Sequence, residues 1–151
     1  MAIIEGRIKA ISVSKERGTQ KVNVPKAELK ADFGIVGDAH AGNWHRQVSL
    51  LAVESIDRMI AKGAKVSPGS FAENITTEGI ELFKLSLGSK LKLGKSVELE
   101  ITEFGKKCNS RCKIFKQLGD CIMPRDGIFA KVTTPGHINV GDVIEVIADN
   151  D

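Results

Sequence analysis

The sequence predicts a mainly β fold: a closed or partly closed β-barrel of short strands with a few short helices. Three observations predict it. Apolar and polar residues alternate over several short runs, glycines mark corners between those runs, and one stretch alone carries a convincing helical repeat. Fifteen glycines in 151 residues suit frequent turns. The length fits a single domain over residues 1–151.

The elements follow in order. "IIEGRIKAISVS" (3–14) alternates with one slip, which predicts a strand with a bulge. "KERGTQK" is a turn, and residues 21–30 read as extended, with Pro25 marking an edge or a strand end. Residues 33–51 hold three glycines, two histidines, an aspartate and the single tryptophan, which predicts a folded loop before the short strand "QVSLL". Residues 52–63 place Val53, Ile56, Met59 and Ile60 at helical spacing and stop at Lys62-Gly63. Pro68-Gly69 and Glu78-Gly79 are turns flanking an extended "FAENIT". Across 85–105, Leu91 and Leu93 alternate with lysines, and Val97, Leu99 and Ile101 with Glu98, Glu100 and Thr102, around a Gly94-Lys95-Ser96 turn. Residues 112–119 suit two helical turns, and 127–133 and 141–148 suit the final strands. "LSLGSKLKL" (85–93) and "INVGDVIEV" (138–146) share apolar positions and a glycine, as two similar corners of one barrel would.

Composition narrows the function. The net charge is +3, and the lysines are spread along the chain. Nucleic-acid modules concentrate positive charge beside stacking aromatics, so the expectation is a local anion pocket and no nucleic-acid partner. The opening residues do not read as a secretory signal, and no apolar run approaches the ~20 residues needed to span a bilayer. A cytoplasmic location and no membrane partner are expected. Three cysteines cannot form a complete disulfide framework. No P-loop, dinucleotide fingerprint or nucleophile elbow is present.

Four stretches carry candidate chemistry. In "EFGKKCNSRC", Lys106, Lys107 and Arg111 surround Cys108, and positive charge favours a thiolate; the alternative is an inert buried cysteine. Cys112 and Cys121 could join Cys108 and one of His40, His45 or His137 at a zinc ion, although the compact paired knuckles of structural zinc sites are missing. In "GDAHAGNWHRQ", a glycine-rich backbone with Arg46 could hold a phosphate, Asp38 with His40 could form an acid–base or metal pair, or the segment could be a tight surface loop with Trp44 lying on the core. In "PGSFAEN", beside Ser70 and Glu73, the Asn74 amide could read a heterocycle edge or cap a turn. Arg125 in "MPRDG" could bind an anion or pair with a surface acid such as Asp126.

The ordered set "GDAHAG…HRQVSLL", "PGSFAENITTEGI", "LSLGSKLKLG" and "ITEFGKKC" resembles the MOSC domain, found at the C-terminus of molybdenum cofactor sulfurases and as small stand-alone bacterial proteins. The resemblance runs from about residue 5 to 147, and the tail "CKIFKQLGDCIMPRDGIFAKV" is similar to the small bacterial branch. It implies a β-barrel and the molybdenum cofactor (molybdopterin) as a ligand, held stably or in transit. It also implies a cysteine at a strand end that carries sulfur as a persulfide or ligates molybdenum. That position falls on Cys108, with Cys112 as the alternative match. His40, Arg46, Asn74, Lys106, Lys107 and Arg111 are the candidate cofactor-binding residues. The implied partners are cofactor-biosynthesis or sulfur-donor proteins and a molybdoenzyme. Two further functions compete: a molybdenum-dependent reductase of N-hydroxylated compounds fed by separate electron donors, and a non-enzymatic barrel that binds an anion or a partner. The reductase branch resembles "F-R-P-N" where this chain has "F-A-E-N", so Ala72 stands in place of a cation.

Overall fold

The computed structural model describes residues 5–16, 20–105 and 127–148. The chain begins with β1 (Glu5–Val13), whose predicted bulge lies between Ile8 and Ala10 in its pairing with β6 (Ile75–Glu78). Pro25 divides the predicted extended run 21–30 into β2 (Val22–Val24) and β3 (Lys26–Lys30). The glycine-rich loop holds a two-residue strand, β4 (Gly34–Ile35), before the fully buried β5 (Val48–Ala52). The helix α1 (Val53–Ala61) follows at once.

The predicted hairpin is β7 (Lys90–Leu93) and β8 (Val97–Phe104). Its alternation reads out as burial. Val97, Leu99 and Ile101 point into the core, while Lys90 faces Glu100 and Lys92 faces Glu98 across the strands. Opposite charges directly across an antiparallel pair are favourable. The expected extended run from residue 85 starts only at Lys90. Leu82–Lys84 form a 3₁₀ turn, and Ser86 and Ser89 then close a second turn through Ser89 N–H to Ser86 O (3.1 Å) and Ser86 N–H to Ser89 Oγ (3.1 Å). The chain finishes with β9 (Ile128–Thr134), β10 (Gly136–Asn139) and β11 (Val143–Ala148).

Seven strands close a barrel in the order β11-β7-β8-β9-β5-β6-β1, and β1 returns to β11. All neighbours are antiparallel except β5 and β6, which run parallel. β2 extends β1, and β10-β3-β4 form a separate small sheet. Ile8, Leu50, Ile75, Leu91, Leu99 and Ile128 belong to the barrel interior. A second apolar cluster lies outside the wall, where Ile56 and Met59 of α1 meet Leu51, Phe71 and Phe129. Ile60, counted in the predicted apolar stripe, is 46% exposed, because Ile56 and Met59 already form the face turned to the sheet. No helix among the described residues is long and apolar enough to cross a membrane.

β1 comes close to the end of β6 at Gly6, the residue that lies opposite Ile144 of β11. A Cβ on Gly6 would lie 2.3 Å from Glu78 O and 2.5 Å from Ile80 Cγ1. Gly6→Ala should therefore destabilise the protein by roughly 1–3 kcal/mol, the usual range for overpacking. Urea unfolding checks this, with a midpoint lowered at unchanged slope as the expected result.

Candidate functional site

The outer face of the wall formed by β1, β6 and β5 carries a continuous polar network. Its centre is a buried ion pair. Lys21 Nζ lies 2.7 Å from Asp38 Oδ1, and neither side chain is exposed to solvent. Lys21 also donates to Ser14 Oγ (3.0 Å) and contacts His40 Nδ1 at 3.0 Å. Asp38 accepts from Ser14 N–H through Oδ1 (3.1 Å) and from His40 N–H through Oδ2 (3.1 Å). Three stretches thus meet at one carboxylate: the end of β1, the residue before β2, and the glycine-rich loop that holds Asp38 and His40.

Burial alone pushes the Asp38 carboxyl up. The hydrogen bond and charge of Lys21, the Ser14 N–H and the Asn74 amide outweigh burial and hold Asp38 below its ordinary value. Trp44 closes the loop by donating its indole N–H to His40 O at 2.7 Å.

Asn74 sits where β6 begins and joins three strands. Its Oδ1 accepts from Ser49 N–H (3.0 Å), its Nδ2 donates to Ser12 O (3.1 Å), and its own carbonyl accepts from Ser12 N–H (2.7 Å). The side chain is fully buried, so its first task is to continue the ladder between β1 and β5. Ala72, two residues earlier, adopts φ 64°, a left-handed conformation that glycine tolerates best.

Glu73 is buried and organises the turn before it. Its carboxylate accepts from Gly69 N–H (2.9 Å), Phe71 N–H (3.2 Å) and Thr76 Oγ1 (3.1 Å). Burial pushes the carboxyl above its ordinary value, against those hydrogen bonds. Gly69 O in turn accepts from Lys21 N–H at 2.9 Å, so Glu73 shapes the turn on which the Lys21 backbone rests.

Arg46 lies at the other end of the loop. Its guanidinium sits 5.0 Å from the centroid of the Phe129 ring, and its Nε donates to Glu103 Oε2. His45 Nε2 is 3.7 Å from the other oxygen of Glu103, and the Thr102 hydroxyl donates to His45 O. Arg46, an anion fork by the sequence reading, is engaged here by the carboxylate of Glu103 near the end of β8. Gln47 pins the loop to β9, accepting from Val132 N–H at 3.0 Å.

The structure therefore brings Asp38, His40 and Asn74 into one network with Lys21 and Ser14, and sets Arg46 at the β8 end beside Glu103. His137 lies on β10 opposite Glu28, in the separate small sheet. No three His, Cys, Asp or Glu groups arranged to hold a metal ion occur among the described residues. Cys108, Cys112, Cys121, Lys106, Lys107, Arg111 and Arg125, with the predicted helix 112–119, lie outside the described residues. Lys21 is the residue that sequence reasoning missed. Nothing in "QKVNVP" separates a buried lysine from an exposed one, because its partners lie 7, 17 and 19 positions away.

Comparison with known proteins gives the family. The family model for the MOSC domain matches residues 37–145. The chain belongs to the MOSC domain family. That family is related to the C-terminal domain of molybdenum cofactor sulfurases, as the ordered motifs implied. Among solved structures, the YuaD protein from Bacillus subtilis is similar over 96% of this chain and 97% of its own, with 19% identity and a TM-score of 0.81. YiiM from Geobacillus stearothermophilus is similar over 93% and 75%, with 19% identity and a TM-score of 0.68. YiiM from Escherichia coli is similar over 94% and 70%, with 18% identity and a TM-score of 0.65. At these identities the likeness is one of fold. No match is found among curated proteins.

Two predictions follow from the buried groups. Lys21→Met strands the Asp38 carboxylate and should cost about 3–5 kcal/mol in chemical unfolding, the range for breaking a buried pair. The two acids should also titrate in opposite senses. Asp38 is lowered in the fold, so its contribution is present above its ordinary 3.8 and is lost as pH falls through the folded value. Glu73 is raised, so its contribution is full below its ordinary 4.5 and is lost as pH rises through the folded value. Carboxyl ¹³C titration should find Asp38 below and Glu73 above these values.

Proposed function

We propose that this chain handles the molybdenum cofactor, binding the cofactor or a precursor and carrying sulfur, or ligating the metal, through Cys108. The observation that carries the reading is the match to the MOSC domain, a family associated with this cofactor. The local geometry supports it. β8 ends at Phe104, and Gly105 N–H bonds to Gly127 O at 2.7 Å, which ties together the two ends of the segment that holds Cys108. The Arg46–Glu103 pair is on the same strand end.

The donor chemistry fits a phosphate-bearing pterin. His40 and Arg46 supply donors from the loop, and Lys106, Lys107 and Arg111 positive charge next to Cys108 in sequence, while the Asn74 amide, buried and spent on Ser49 and Ser12, supports the wall and does not face a ligand. When bound, the group supplies a metal centre that takes a soft thiolate ligand. The neighbouring cations favour the thiolate form of Cys108. As a sulfur carrier, that thiolate attacks the outer sulfur of a donor protein's persulfide. A new S–S bond forms on Cys108, the donor's S–S bond breaks, and the donor leaves as a thiolate that takes up a proton. A cofactor-biosynthesis or sulfur-donor protein is the implied upstream partner, and a molybdoenzyme the downstream one. Ala72 offers no cation at the position where the reductase branch resembles arginine, which favours handling over independent reduction.

The test compares wild type with Cys108→Ala and Cys112→Ala after incubation with a persulfide donor and, separately, with the cofactor. Intact-mass spectrometry should show one added sulfur on wild type and Cys112→Ala, and none on Cys108→Ala, with cofactor retention also reduced in Cys108→Ala. Sulfur loading and cofactor retention by Cys108→Ala equal to wild type would sink the reading.

A further inference from the structure

The sequence leaves open whether His40 is a base, a metal ligand or a hydrogen-bond donor. The structure decides through Lys21. An ammonium group has three N–H donors and no acceptor. Lys21 Nζ meets three partners: Asp38 Oδ1 at 2.7 Å, Ser14 Oγ at 3.0 Å and His40 Nδ1 at 3.0 Å. Nδ1 must therefore present its lone pair to Lys21. A proton on Nδ1 would face an N–H of Lys21 head-on. The nearby Asp38 Oδ2, 3.9 Å from Nδ1, lies beyond hydrogen-bond distance and accepts instead from the His40 backbone N–H. The backbone is fixed as well, since His40 O accepts from Trp44 Nε1 at 2.7 Å. His40 is thus held through its backbone and through Nδ1, the latter by a lysine that is itself sealed from solvent.

We infer that Lys21 is a positioning residue that locks His40 as the neutral Nε2–H tautomer, so that the ring meets a ligand only as a hydrogen-bond donor to an acceptor oxygen and not as a metal ligand. Neither imidazole nitrogen then offers a lone pair to a metal, because Nδ1 accepts from Lys21 and Nε2 carries the proton. A metal ion at Nε2 would have to displace that proton and one at Nδ1 would have to displace Lys21. A phosphate or carboxylate oxygen is the ligand chemistry that needs neither change. The choice of ligand rests on the cofactor-binding reading, whereas the tautomer lock stands on the Lys21 geometry alone.

The experiment is a long-range ¹H–¹⁵N correlation spectrum of the full chain near neutral pH, without cofactor. His40 is assigned by the signals lost in His40→Asn, against the two remaining histidines, His45 and His137. The expected result is a protonated, pyrrole-like Nε2 and an unprotonated, pyridine-like Nδ1. Zinc ion added to the same sample should leave the Nε2 proton in place. An Nδ1–H tautomer, a doubly protonated ring, or loss of the Nε2 proton to zinc overturns the inference. The double variant Lys21→Met/Asp38→Asn removes both charges together. In the folded variant His40 should shift to a mixture of tautomers, an effect that a merely structural role for Lys21 would not produce; an unchanged pure Nε2–H form refutes the lock. Should that variant not fold, a scalar coupling across the Lys21–His40 hydrogen bond in ¹⁵N-labelled wild type decides, its presence supporting the lock and its absence from a resolved Lys21 ammonium signal refuting it. Failure of cofactor binding would leave these spectra untouched, so the two readings fail separately.

Discussion

A charge pair shut away from water is the constraint on which the polar face of this barrel depends. Lys21 and Asp38 have no side-chain exposure, so every hydrogen of the ammonium must find a partner within the protein. That requirement draws in Ser14 from the end of β1 and His40 from the glycine-rich loop. Asp38 answers with acceptors for the backbone N–H groups of the same two residues. The pair is a poor source of net stability compared with an apolar pair of similar volume, since desolvation offsets most of the attraction. What it does provide is a fixed arrangement: removing either partner leaves a buried charge, so the loop has one well-satisfied position.

The rest of the outer face is built around that point. Glu73 shapes the turn at Gly69, and Gly69 O holds the Lys21 backbone. A Cβ on Gly69 would lie 2.5 Å from Lys21 O, so glycine is what permits this approach. Asn74 joins β1 to β5 in the gap before β6 pairs with either. The barrel interior, meanwhile, is aliphatic throughout, with Leu, Ile and Val filling it from every strand. The division is clear: the interior is an apolar core, and the outer face of the wall carries the polar network.

Much of the wall could be read from the chain. Leu91, Leu93, Val97, Leu99 and Ile101 alternate so regularly with charged residues that strand, register and inward face follow together. The bulge in β1 was visible as a slip in the alternation. β10 was not visible, because four residues between a proline and a turn carry little pattern, and their partner is β3, more than a hundred positions away. Asp38, His40 and Asn74 stood out because histidine, aspartate and asparagine among glycines are unusual. Lys21 and the pairing of Arg46 with Glu103 did not, since long-range charge pairs leave no local trace. The functional cysteine proposed here rests on the family match and on its place in the sequence, just after β8.

The central claim is that the Lys21–Asp38 pair makes the loop a fixed part of the barrel wall. Native-state hydrogen exchange at the Ser14 and His40 amides tests it most directly, because both donate to Asp38. The account predicts that they exchange as slowly as the amides of β5 and β6, through opening of the whole fold. Exchange at the rate of the exposed turns, with β5 and β6 still protected, would contradict it.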